Sequence, residues 1–69
     1  MTEKEAKKQL REMLKSFTTG SVLQLLADIH RLNAEQAMKA GDDLRCNQYC
    51  LVEHALVVIG IGCDSALPQ

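Results

Sequence analysis

Aromatic residues are almost missing from this sequence, which holds no tryptophan, one phenylalanine (Phe17) and one tyrosine (Tyr49). The stacking platforms on which single-stranded nucleic acids rest are therefore nearly absent. An excess of positive charge is missing as well: the formal net charge is -1, which argues against a polyanion held by overall charge. No stretch stays apolar for long. The longest unbroken run, Ala55 to Ile61, is far shorter than the ~20 residues a bilayer-crossing helix needs, so neither a transmembrane segment nor a membrane partner is expected.

Three cysteines, Cys46, Cys50 and Cys63, are an odd number, and the N-terminus lacks the cationic start and apolar core of a secretory signal. Both features predict a reducing, cytoplasmic setting. There is no glycine-rich phosphate loop, no C-x-x-C knuckle and no H-E-x-x-H helix. No enzyme activity and no cofactor are expected. Proline occurs once, as Pro68, and glycine only at 20, 41, 60 and 62, so few positions break regular structure.

What is present is the composition of an ordinary soluble domain, with 46% hydrophobic and 25% charged residues. The 69 residues form one small helical domain, 1–69. A chain of this size buries only about 60% of its unfolded surface, which makes a lone core marginal and favours partner subunits.

Three helices follow from the breakers. Thr2 and Glu5 have the spacing of a capping box for a first helix over about 2–16, with Ala6, Leu10, Met13, Leu14 and Phe17 on one stripe. Thr18, Thr19 and Gly20 interrupt it, and Ser21 with Gln24 predicts the start of a second helix over 21–40. Val22, Leu25, Leu26, Ile29 and Leu32 are its expected core stripe, and Asp28, Arg31, Glu35 and Lys39 its solvent face. Gly41 suits a left-handed helix end, Asp42 or Asp43 can cap a third helix over 43–61, and Gly62 is the expected stop. The β-branched run Leu56 to Ile61 has strand character, but it follows Arg45, Asn47 and Gln48 without a turn signal and is read as helix. Short connections make consecutive helices antiparallel neighbours. The expected fold is all-α, an up-down-up three-helix bundle completed by self-association into a larger helical bundle.

The third helix is apolar on two sides. Leu44, Leu51, Ala55, Val58 and Ile59 form one stripe, read as core, and Cys46, Cys50, Val57 and Ile61 another, read as the interface of a homo-oligomer. Leu23, Ala27, Ala34 and Ala37 add small residues to the second helix that permit close helix approach. The first helix instead gathers Lys4, Lys7, Lys8, Arg11 and Lys15 on one stripe. Residues 1–16 carry a local +2 and the remainder -3, an asymmetry that could steer an acidic partner. The plainer reading is a solvated face, and nucleic-acid binding through this stripe is the weakest of the functional alternatives.

Chemistry is concentrated at Cys46, Cys50 and His54, four residues apart on one edge of the third helix. Two thiolates and an imidazole at that spacing could reach a soft metal such as zinc or copper(I), with His30, Cys63 or a residue from another subunit as a fourth ligand. Cys50 and His54 are also the one candidate nucleophile–base pair. Free cysteines, however, are most often small apolar residues of a helix interior. The leading expectation is a small oligomeric helical adaptor or regulator that acts by protein–protein interaction, and the alternative is a metal- or thiol-responsive protein.

Overall fold

The computed structural model describes residues 1–67 and contains α1 (Glu3–Met13), α2 (Thr19–Lys39) and α3 (Asp43–Ala66), with no strand among the described residues. The fold is all-α. The run Leu56 to Ile61 lies within α3, because a β-branched stretch continuing a helix finds its backbone partners locally.

Each helix start is capped by a side chain. The Oγ1 of Thr2 accepts from the Glu5 amide at 3.2 Å, as the capping-box spacing predicts. At α2 the cap is Thr18, not Ser21: its Oγ1 accepts from the Ser21 amide at 3.0 Å, and α2 starts two residues earlier than expected. Threonine ahead of the first turn competes with serine for the same role, and here it reaches the third amide of the helix. Asp42 caps α3 by accepting from the Arg45 amide at 3.1 Å. Gly41 has φ 77° and closes α2 in a Schellman motif, with the Asp42 amide donating to the Ala37 carbonyl at 2.9 Å and the Gly41 amide to the Met38 carbonyl at 3.0 Å. One glycine and one aspartate therefore end α2, reverse the chain and start α3.

Two expected ends move. α1 stops at Met13, short of the expected turn through residue 16. α3 continues through Gly62 to Ala66, since a glycine lowers helix propensity by about 1 kcal/mol without forcing a stop. Residues 63–66 are thus helical, and residues 68 and 69, with Pro68, lie outside the described residues.

α2 and α3 pack against each other, and α1 does not pack along either. An up-down-up bundle of three packed helices is not what this chain forms by itself. The residues between the packed helices are small. Gly20, Val22, Ala27, Ala34 and Ala37 are buried on α2 and Gly60 on α3, and no large side chain is fully buried. Gly20, Ala27 and Ala34 are spaced by seven, as are Leu23, His30 and Ala37; Cys46, Glu53 and Gly60 repeat the pattern on α3, with Tyr49, Leu56 and Cys63. Such heptads are the signature of two helices meeting along one seam.

Of the expected core stripes Val22 is buried, and most of the rest lie elsewhere. Leu25, Leu26, Ile29 and Leu32 are 41% to 58% exposed, and Leu44, Leu51, Val58 and Ile59 are 55% to 73% exposed. Both helices are apolar on two sides, and the side with small residues wins the contact because it lets backbones approach. A Cβ placed on Gly60 would lie 3.1 Å from the Gly20 carbonyl oxygen, and one placed on Gly20 would overlap the Asp64 carboxylate. That carboxylate accepts from the Gly20 amide at 3.1 Å. Asp64 is poorly placed for the negative end of its own helix, yet it supplies the anion that the first turn of α2 lacks.

The close approach gives opposite signs to two glycine substitutions in one helix. Gly62→Ala, with open space around the new methyl, is expected to raise the urea midpoint, by up to ~1 kcal/mol in stability. Gly60→Ala is expected to lower it, because the methyl pushes against the Gly20 carbonyl. Equal gains from both would show that the helices do not meet there.

Candidate interaction face

The antiparallel register is fixed by cross-helix pairs. Gly20 lies against Gly60 and Asp64, the His30 and Tyr49 rings are 5.9 Å apart, and Arg31 Nε is 3.9 Å from Glu53 Oε1. With the register known and about 100° between successive residues, every outward position falls on one side or the other of the two-helix layer. One side carries Leu26, Ile29, Asn33 and Gln36 of α2 beside Gln48, Val52, Ala55 and Ile59 of α3. The opposite side carries Asp28, Arg31 and Glu35 beside Cys50, Glu53 and His54.

Two independent features agree with this division. The Arg31–Glu53 pair spans the second side, and a shallow cleft lined by Asn33, Gln36, Arg45 and Tyr49, with Asp42 of the turn, opens at the end of the first. Leu26, Ile29, Val52 and Ile59 are therefore neighbours on a single face, while Leu25 and Leu32 of α2 and Leu51 and Val58 of α3 point to the two outer edges of the layer. Within the two helices, that face holds one ionisable charge, Arg45, at its end. The other charged helix residues sit on or beside the opposite side.

The expected oligomer stripe belongs to the charged side. Cys46 and Val57 are half-buried there, and Cys50 and Ile61 are exposed. Cys46 and Cys50 lie one turn apart, but Cys46, Cys50 and His54 are not brought into a metal-holding group, and no set of three His, Cys, Asp or Glu side chains among the described residues is so placed. Partial desolvation pushes the Cys46 thiol above its ordinary pKa, and the adjacent Cys50 and Asp43 add to the effect. Each of these influences disfavours the thiolate that nucleophilic or metal chemistry needs. His30 is separate from the thiols: it lies in the seam beside Tyr49, with Nδ1 buried and without a partner.

The basic stripe of α1 is open to solvent. Lys7 pairs with Glu3 at 3.3 Å and Lys15 with Glu12 at 3.1 Å, both exposed and each worth little in water. Lys4, Lys8 and Arg11 are exposed beside them. Leu10, Leu14 and Phe17 are also nearly half exposed, because no other helix lies along α1.

α3 is long and apolar enough to cross a membrane by length and composition, which the unbroken-run criterion missed by stopping at Glu53, His54 and Asp64. Glu53 near the helix middle is a strong cost in lipid, roughly 2.5–3.5 kcal/mol on insertion scales, and Asp64 is already engaged with Gly20 on α2.

The sequence offered a signal for the seam that went unused, the seven-residue spacing of Gly20, Ala27 and Ala34 against Cys46, Glu53 and Gly60. The Gly20–Asp64 contact had no signal, since it joins residues 44 apart in the chain.

Thiol chemistry gives a direct check on this placement. Under iodoacetamide at neutral pH, Cys50 is expected to be alkylated before Cys46, as read by peptide mass spectrometry, because Cys46 is less exposed and its raised pKa leaves less thiolate. Cys50→Ser is expected to speed the reaction of Cys46. Faster alkylation of Cys46 in the unaltered chain would contradict this environment.

No protein-family model matches the chain, and no curated protein or solved structure matches it either.

Proposed function

We propose that this chain is a helical interaction module whose work is done by the uncharged face of the α2–α3 layer, without catalysis and without a bound cofactor. The observation that supports the reading is the segregation of the layer. Leu26, Ile29, Val52 and Ile59 with neutral amides occupy one side, where Arg45 is the one ionisable charge of α2 and α3, while Asp28, Arg31, Glu35 and Glu53 lie on or beside the other, next to Val57 and Ile61. A random surface would mix the two, and an apolar patch of this continuity marks a contact site. On this reading the expected helical bundle is completed by an added helical layer laid on that face, not by α1.

The weakly acidic thiol at Cys46 and the dispersed Cys and His residues make metal or thiol chemistry the poorer reading. The basic stripe of α1 is the module's most exposed charged feature and can bias the approach of an acidic partner by long-range attraction.

In living cells, a photo-crosslinking residue at position 29 or 59 is expected to give protein adducts in high yield. The same residue at position 28 or 54 is expected to give few. Equal yields from the two sides, or adducts to lipid alone, would overturn the reading.

A further inference from the structure

We infer that the occupant of the uncharged face is a second copy of this chain, two α2–α3 layers meeting face to face about a two-fold axis as a four-helix bundle. The inference rests on the interaction reading and names its partner.

Area comes first. The chain exposes 5477 Å², whereas a compact protein of 7.6 kDa exposes about 4300 Å². The excess, roughly 1200 Å² per chain, includes the surface of the unpacked α1 and is of the order that each partner of a permanent homodimer contributes, since such interfaces bury 2,000 Å² or more in total. Shape gives the same answer. The radius of gyration is 14.1 Å and the thinnest dimension 15 Å, against a radius of about 11 Å for a compact domain of this length. A second layer on the flat side supplies the missing thickness.

Charge is compatible with pairing of like chains: residues 17–69 carry three basic and six acidic side chains, and a face-to-face dimer keeps most of them in water on its outer sides. The face is also self-complementary: Leu26, Ile29, Val52 and Ile59 can interdigitate with their own copies, and Asn33 and Gln48 can hydrogen-bond across the axis and set the register. α1 is too small to serve instead. Its 11 residues cover about 16 Å at 1.5 Å each, against a face built on helices of 21 and 24 residues.

The test uses the purified full chain. Light scattering at tens of micromolar is expected to give twice 7.6 kDa, with the side chains of Leu26, Ile29 and Ile59 protected from carbene labelling. Ile29→Lys with Ile59→Lys is expected to weaken association by at least 100-fold, while Val57→Lys on the charged side changes it less than threefold. Should the double variant fail to fold, dilution of the unaltered chain decides: helix content and labelling protection are expected to fall together with the dimer.

A dimer broken by Val57→Lys and not by the double variant would overturn the inference in favour of the cysteine stripe. A monomer with the face protected would overturn it in favour of α1 folded back, and a monomer that floats with zwitterionic or anionic vesicles in favour of a membrane. A monomer with the face open, from a chain that still crosslinks to protein at position 59 in cells, would overturn self-pairing and leave the interaction reading standing.

Discussion

The near-contact of the Gly20 and Gly60 backbones is the constraint from which the rest of this molecule follows. Two helices can approach so closely only where side chains are absent or small, so the seam had to be drawn through Gly20, Ala27, Ala34 and Ala37 on one helix and Gly60 on the other. Once the small residues are inside, the rotation of each helix is set. Most large apolar residues that a sequence reader assigns to the core are turned out, Leu26, Ile29 and Ile59 toward one common side and Leu25, Leu32, Leu51 and Val58 toward the outer edges. The Asp64 carboxylate locks this arrangement at the open end of the hairpin, and the Gly41–Asp42 turn locks it at the closed end.

Such a seam holds two helices in register but does little to hold a protein together. Alanine and glycine bury little apolar surface, at about 25 cal/mol per Å², while ordering each residue costs about 1–2 kcal/mol in backbone entropy. Four buried hydrophobic residues cannot offset that cost across three helices. The seam specifies the relative position of α2 and α3 and leaves most of the large apolar side chains of both helices exposed.

Much of the local structure was legible because it depends on neighbours in sequence. The Thr2 cap, the Gly41 reversal and the Asp42 cap each involve residues within a turn of one another. The Leu56–Ile61 stretch was legible as helix for the same reason, from the missing turn signal before it. Which apolar face of α2 goes inside was not legible from hydrophobicity, since Leu25, Ile29 and Leu32 score above Ala27 and Ala34 on any scale. That choice depends on backbone approach, a property of the pair. The side on which the Cys46, Cys50, Val57 and Ile61 stripe lies was not legible for a related reason: a wheel drawn for α3 alone shows two apolar stripes but gives no zero of angle. The seam at Gly60 supplies that zero, and with it the charged side, where Cys46, Cys50, Val57 and Ile61 fall.

Segregation of charge also explains why the chain tolerates so large an exposed apolar surface on paper. Were Asp28, Arg31, Glu35 and Glu53 spread around the helices, each would have to be desolvated wherever a partner docked, at a cost of several kcal/mol per buried ion. Gathered on one side, they remain in water in any assembly that covers the other. Arg31 illustrates the point: its guanidinium stays exposed, held between Asp28 at 2.6 Å and Glu53 at 3.9 Å. Glu53 belongs to the heptad of the seam, yet its carboxylate reaches the charged edge and not the uncharged face. The one charge left on the uncharged face, Arg45, sits at the end of the layer, where a long side chain can carry its head back to solvent.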